Sequence, residues 1–466
     1  MSYNKLKSLA ANVAAIETAV TVYGEHRKAT QEEKQVMAQY SGFGGVKEVL
    51  AIGTQVPIPE ELAEQMNRLQ EALNAFVQGS KADYNLFLDS IKSSVLTAFY
   101  TPKFIIDTVA SQIHATFREN GLQMRSFLEP SAGIGGFLPV AMDETRSYAI
   151  ENDIITGLIL SLLHDEATTV TGGFETIDRQ ELEHRKFDVI ASNIPFGNFR
   201  VFDAEFWKMG GIYEQAAKTI HNYFFFKAME LLSEGGLLAF VTSRGVADTP
   251  GNKFVREYLV SHADLISAVR LPDTLFMQTS GIEVGSDLLI FQKHTNKASL
   301  SLREKAFLQV TREKANADGT MTEYANKLFS LPKTVLATDS GIVRNQHGKY
   351  VRKYRWSGDE CSMSRYLSAL LQYDLARYFH KSLFIGQDDA PVQMSLFGGT
   401  AAVMPEKGRR AYTGDMPEWI KEGAMVLFEG QVGTLRFRKS SFYEGTAVDF
   451  VPVSYTHLTL PTKLEV

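Results

Sequence analysis

The stretch FDVIASNIPFG, residues 187–197, decides how the chain folds. Phe187, Val189, Ile190 and Ala191 form an apolar run too short for a helix, the pattern of a strand buried on both faces, and Pro195 and Gly197 end it in a turn. Open α/β sheets bind ligands beyond the carboxyl ends of their strands, so NIPF, Asn193 to Phe196, is a candidate site. Upstream, the short strand SFLE leads into EPSAGIGGF, Glu129 to Phe137, where glycines let the backbone approach a ligand and a following helix N-terminus can face an anion. A dinucleotide-binding turn has glycines in the order G-x-G-x-x-G, whereas this one has Gly133, Gly135 and Gly136 and lacks the third. SYAIEND closes its strand at Glu151, 22 residues after Glu129, about the offset at which an acidic side chain meets ribose hydroxyls. Together the turn and Glu151 suit a cofactor containing adenosine.

Further candidate strands, ATTVTG, LLAFVTS, LISAVRL and SDLLIFQK, alternate with helical segments from Leu96 to about Lys293, the signature of an α/β domain. No full-length amphipathic helix separates the last two, which predicts an antiparallel pair at one sheet edge. HNYFFFKAMELL, His221 to Leu232, reads as a buried helix before the fifth strand.

Composition limits the rest. The 466 residues are 44% hydrophobic and 22% charged, enough for two or three packed domains and against dominant disorder or membrane spans. Lys+Arg 48 against Asp+Glu 54 leaves a net charge of −6, so binding to nucleic acid must be local. The one cysteine, Cys361, excludes a disulfide framework or a cysteine-rich zinc site and fits a reducing cytoplasm. His114, His164 and His221 have no second ligand at a useful spacing, so each reads as packing or surface and no metal site is expected.

The expected organisation is a helical cap over 1–95, the α/β domain over 96–295, a mixed accessory region over 296–384, a linker over 385–411 and a small β module over 412–453. In the cap, Leu6, Leu9, Val13, Ile16 and Val20 fall at helical spacing, and PIPEE opens a second helix with Leu62, Met66, Leu69, Leu73 and Phe76 on one face. The tail 454–466, within SYTHLTLPTKLEV, resembles translated adapter sequence; on that reading the natural chain continues beyond about Val453.

The order of a glycine-rich turn, an acidic strand end and Asn-x-Pro-Phe resembles the S-adenosylmethionine-dependent amino-methyltransferases, whose fourth motif is Asn/Asp-Pro-Pro-Tyr/Phe. FYTP, Phe99 to Pro102, lies before the turn, an order that is similar to the gamma group of N6-adenine DNA methyltransferases. The resemblance implies a Rossmann-like class I methyltransferase fold with a seven-stranded sheet. It implies S-adenosylmethionine contacts from Phe99, Tyr100, Thr101, Pro102, Glu129, Pro130, Ser131, Ala132, Gly133, Gly135, Glu151 and Asn152. Phe174 would flank the cofactor adenine, and Glu175 or Asp178 would stand for the acid that usually follows the third strand.

An adenine amino group is a poor nucleophile until hydrogen bonds draw its protons. Asn193 can accept one through its side-chain oxygen, and the resemblance assigns the other to the carbonyl of Ile194, with Pro195 shaping the turn and Phe196 stacking on a base flipped from the duplex. Ile194 departs from the family pattern by replacing its first proline. Cytosine C5 methylation needs a cysteine nucleophile, and Cys361 lies outside the α/β region, so that class is excluded. A catalytically silent DNA-binding or antirestriction module is the competing reading, and RNA, protein glutamine or cytosine N4 are the competing substrates.

Double-stranded DNA is the expected partner. Arg344, Lys349, Arg352, Lys353 and Arg355, interleaved with Tyr350, Tyr354 and Trp356, are candidate contacts, with a second basic patch at Arg436, Arg438 and Lys439. QMSLF, Gln393 to Phe397, resembles a sliding-clamp docking peptide. KATQEEKQVMAQYSGFGGVKEVL resembles the opening of phage and conjugative-element methylase-helicase fusions, in which a helicase follows; this chain has no GxxxxGK[ST] phosphate loop of its own.

Overall fold

The computed structural model describes residues 4–77, 80–97, 99–177, 186–277, 281–313, 323–344 and 350–384, and the backbone of 425–428, 431–439 and 446–452. The linker with Gln393 to Phe397, and the tail, lie outside the described residues.

The N-terminal region is helical because its apolar residues recur at helical spacing and its helix starts are capped. Asn4 caps α1 (Lys5–Gly24), and a reciprocal Thr30–Glu33 capping box opens α2 (Gln31–Met37). In α3 (Glu60–Phe76) the buried residues are Leu62, Met66, Leu69 and Leu73. They share one core with Leu9, Val13 and Ile16 of α1. Next, α4 (Lys81–Thr97) runs past the boundary expected at residue 95, and α5 (Lys103–Glu119) starts after Pro102.

Seven strands form the central sheet: β1 (Phe127–Glu129), β2 (Ser147–Glu151), β3 (Thr168–Thr171), β4 (Phe187–Asn193), β5 (Leu232–Ser243), β6 (Ala263–Arg270) and β7 (Ser286–Lys293). Their order is β3-β2-β1-β4-β5-β7-β6, parallel from β3 to β5, with β7 antiparallel to both β5 and β6. This is the class I S-adenosylmethionine-dependent methyltransferase architecture. The order reverses at β1/β4, the switch point at which such sheets open a crevice. Between β2 and β3, α6 (Ile154–Leu163) packs its Ile155 and Ile159 into the N-terminal helical core, so the cap is joined to the sheet domain by a shared interior. The helix Ile220–Leu231 is buried before β5, as its sequence predicts.

One expectation is corrected. No α-helix follows the glycine-rich turn: 3₁₀ turns at Leu138–Val140 and Glu144–Arg146 fill the short path to β2, so no helix dipole faces an anion there. Part of 296–384 packs on the sheet. The helix Glu360–Tyr378 buries Leu367, Leu371 and Leu375 in the core that holds Val109 of α5, Ile266 of β6 and Ile290 of β7.

The rest of that region carries two antiparallel hairpins, β8 (Val310–Glu313) with β9 (Glu323–Asn326) and β10 (Asp339–Arg344) with β11 (Tyr350–Arg355). A three-stranded antiparallel sheet, β12 (Met425–Phe428), β13 (Gln431–Lys439) and β14 (Thr446–Pro452), lies within the predicted β module. Among the described residues no helix is long and apolar enough to cross a membrane.

Candidate active site

Four segments distant in sequence meet at the carboxyl rim of the sheet. The Ser192 hydroxyl donates to the Ser131 carbonyl at 2.9 Å, joining the end of β4 to the glycine-rich turn. One residue on, Asn193 Nδ2 donates to the Phe99 carbonyl, bringing in the FYTP segment. Gly133 N–H donates to Glu151 Oε2 at 2.7 Å, joining the turn to the end of β2, and Ala132 N–H donates to the Ile150 carbonyl. Gly133 has a φ of +56°, and a Cβ there would lie 2.6 Å from the Tyr100 ring, so both its backbone and its surroundings demand glycine. The turn and the NIPF tetrad therefore face the same side of the molecule.

The buried polar atoms at this rim are incompletely satisfied. Asn193 Oδ1, Thr101 Oγ1, Glu129 Oε2 and Glu175 Oε1 have no hydrogen-bond partner among the described residues. Buried polar atoms are nearly always paired in folded proteins, so orphans such as these call for ligand or water. Fixing Asn193 Nδ2 on a carbonyl also fixes its amide plane, leaving Oδ1 free as an oriented acceptor.

The carboxyl groups here have no ion-pair partners among the described residues, and burial governs them. Burial, reinforced by Asp153, pushes Glu151 up to about 8 against the donated N–H groups of Asp153 and Gly133. Glu129 is also held well above the usual carboxylate range by burial; its Oε1 accepts the Phe137 N–H at 2.9 Å and so stitches the glycine-rich turn shut. Burial raises Glu175 to about 6, with Lys227 acting in the opposite sense. Asp178 lies outside the described residues. Phe174 is turned into the core, 2% exposed, against Phe224 at 5.0 Å between ring centroids.

In the tetrad, Ile194 is 1% exposed and its N–H donates to the Val241 carbonyl at 3.0 Å, extending the β4–β5 ladder by one bond. Phe196 is 8% exposed and edge-on to Phe276. Its ring packs in the core that also holds Phe276 and Leu275 and does not stand free. Pro195 and Asn152 are half-buried, and Pro130 is buried.

The family model described as N-6 DNA Methylase matches residues 84–326, more than half of the chain. The chain belongs to the N-6 DNA methylase family. It is 27% identical over 205 residues to the defense against restriction protein B of Escherichia phage P1, a match covering 43% of this chain and 8% of the phage protein's length. Among solved structures it is similar to a protein assigned as a class I S-adenosylmethionine-dependent methyltransferase from Listeria monocytogenes, at 15% identity and a TM-score of 0.39, over 64% of this chain and 91% of that one. A modification subunit ascribed to a type I restriction enzyme of Vibrio vulnificus YJ016 is also similar, at 17% identity and a TM-score of 0.35, over 67% of this chain and 71% of that one.

The methylase's segments quoted for the cofactor are joined by hydrogen bonds at this rim, and the residues present there fit S-adenosylmethionine: a buried carboxyl at Glu151 and an orphan hydroxyl at Thr101 beside the glycine-rich turn.

The proposed DNA contacts are more dispersed. In the β10–β11 register Arg352 lies opposite Ile342 and Lys353 opposite Gly341, so successive cations point to opposite faces. Lys353 is no free cation: its Nζ pairs with Glu283 at 2.5 Å, an acid from a distant loop that the acid-free stretch gave no sign of. Arg355 is exposed, and Arg352 lines an open cleft of about 640 Å³ with Lys327 and Gln309. Lys349 lies outside the described residues, and only the backbone of Arg344 is described, as of the patch at Arg436, Arg438 and Lys439.

Sequence reasoning missed three groups. Ser192 and His164 act through bonds to main-chain carbonyls, which leave no motif. Arg244, at the end of β5, ties Asp273 and the Arg352 carbonyl together and so anchors the hairpin to the rim.

Proposed function

We propose that this methylase transfers a methyl group from S-adenosylmethionine to the N6 amino group of an adenine flipped out of DNA. The observation that carries the reading is the Asn193 carboxamide, its nitrogen held by Phe99 and its buried oxygen unpartnered beside the glycine-rich turn. Thr101, Gly133 and Glu151 would hold the cofactor, which supplies an electrophilic methyl when bound. Asn193 Oδ1 accepts one amino proton of the base and the Ile194 carbonyl the other, which draws electron density toward the nitrogen lone pair and orients it. The main-chain bond from Ile194 N–H to Val241 holds the Asn193–Ile194 peptide, from which both acceptors project, against β5. No covalent enzyme intermediate is required; catalysis is alignment and preset hydrogen bonding. Phe196, backed edge-on by the buried Phe276, would give the extruded base an apolar contact.

The test is tritium transfer from labelled S-adenosylmethionine to unmethylated DNA, followed by nucleoside analysis. Labelled N6-methyladenine, absent with Asn193→Ala, is the expected result. Label in N4-methylcytosine, RNA or protein would move the substrate, and cofactor binding without transfer would make the chain a silent module.

A further inference from the structure

His164, which closes α6, has a role that a packing residue would not have. Its Nδ1 lies 2.6 Å from Glu144 Oε1 and its Nε2 lies 3.1 Å from the Ile134 carbonyl oxygen, in the middle of the glycine-rich turn. The ring sits directly under Gly135: a Cβ on that glycine, whose φ is +85°, would come within 2.5 Å of Nε2. His164's own backbone is fixed at both ends, its N–H on the Leu160 carbonyl and its carbonyl on the Ala167 N–H. Both ring partners are pure acceptors. A neutral imidazole has one N–H and can satisfy only one of them, whereas an imidazolium satisfies both.

We propose that His164 is a positioning residue for cofactor binding, pinning the glycine-rich turn from below through Ile134 and Glu144 at once as an imidazolium and releasing Ile134 when it loses a proton. The proposal rests on the reading of this rim as the S-adenosylmethionine site. On deprotonation the remaining N–H stays with the charged partner, Glu144, and the Nε2 lone pair then faces the Ile134 oxygen, two acceptors in contact. The turn is pushed away from the geometry in which Gly133 and Gly135 form the cradle. Glu144 contacts the ring; beside it in sequence lies the Asp143–Arg146 pair, and next to His164 in the chain come Asp165, which is held by Lys28 and Lys34 from the helical cap, and Glu166, while Glu151 accepts the Gly133 N–H of the same turn.

Equilibrium dialysis with labelled S-adenosylmethionine tests this on the full chain, its His164→Ala variant and its Glu144→Gln variant, in a series from about pH 6 to about pH 8.5. Wild type should bind about tenfold more tightly than His164→Ala at the acid end, the equivalent of one charge-assisted hydrogen bond, with the ratio falling toward one at the alkaline end. Taking the ratio removes the titration of Glu151, common to both proteins. Glu144→Gln should move the fall to lower pH. A ratio constant with pH means the ring only fills space under Gly135 and overturns the proposal. If His164→Ala fails to fold, the Glu144→Gln shift decides alone, and an unmoved profile overturns it. Amide exchange of residues 130–138 in the free protein, corrected for intrinsic rates, separates the two readings. A wild type that binds no cofactor sinks the site assignment, whereas protection of the turn that is equal at both ends of the pH range sinks the clamp.

Discussion

The two halves of the sheet's carboxyl rim are built on opposite electrostatic principles. On the β5-β7-β6 side the buried charges are paired: Arg270 lies 2.9 Å from Asp287 and 2.8 Å from Asp248, and Arg244 lies 2.6 Å from Asp273. On the β2-β1-β4 side Glu129, Glu151 and Asp153 have no ion pair among the described residues, burial raises all three, and orphan acceptors cluster there. Unpaired buried polar atoms occur on both sides, with Thr242 Oγ1, Ser286 Oγ and Arg244 Nε on the first, so the difference lies in the ion pairing of the buried carboxylates. On the proposed reading the unpaired half is the one that a ligand completes.

The paired half should fail by unfolding. Arg270→Met removes the cation from between Asp248 and Asp287 and from the face of Phe329, 3.9 Å away. Leaving buried carboxylates uncompensated should cost about 3–5 kcal/mol in urea denaturation. A loss under about 1 kcal/mol would mean the pairs are not structural, and the contrast would break.

The open half should fail by losing chemistry. Asn193→Ala should lower methyl transfer by about 100–1000-fold, the scale of losing one preset hydrogen-bonding group in a reaction centre, while cofactor affinity and thermal stability stay near wild type. Equal losses of stability and activity would place Asn193 with the structural half.

A pH experiment sharpens the comparison further. On the proposed reading an ionised Glu151 accepts the ribose hydroxyls, yet in the free protein burial and Asp153 raise it to about 8. Cofactor affinity should therefore rise with pH by up to about tenfold per unit below about 8 and level off above it. Glu151→Gln should be weaker and free of this rise when measured by the same dialysis. For the cofactor-free fold the sign is opposite. A carboxyl whose folded value is raised contributes stability that is full below the unfolded value of 4.5 and lost as pH rises through about 8.

What could be read from the sequence was local. Strand β4 and the tetrad after it were legible because an apolar run and a turn are written in consecutive residues, and the same holds for the buried helix Ile220–Leu231. The glycine-rich turn was legible as a close-approach element, but the helix expected after it is absent because 138–146 is too short and too interrupted by turn residues to wind one. Interactions that close over long separations were not legible. Glu283 neutralises Lys353 across 70 residues, and Thr108 meets Ser364 across 256 as the helix Glu360–Tyr378 docks on α5. His164 was read as packing because its partners are a carbonyl and a single glutamate, neither at a motif spacing.

Ile194 gives the smallest effect and the most pointed test. Set against the family's Asn-Pro-Pro-Phe, an isoleucine in place of the first proline looks like decay of the site, and restoring proline would then raise activity. The geometry argues the reverse. Ile194 donates its N–H to the Val241 carbonyl, a bond that proline cannot make, and its side chain is buried in the core that contains Phe224. Where proline would restrain residue 194 by restricting φ, this chain restrains it by one more rung of the β4–β5 ladder and a packed side chain. Ile194→Pro should therefore cost about 1–2 kcal/mol of stability, from an orphaned Val241 carbonyl and lost packing, and should leave methyl transfer unchanged or lower. Higher activity in that variant would show that the site works below its potential and would favour the silent-module reading.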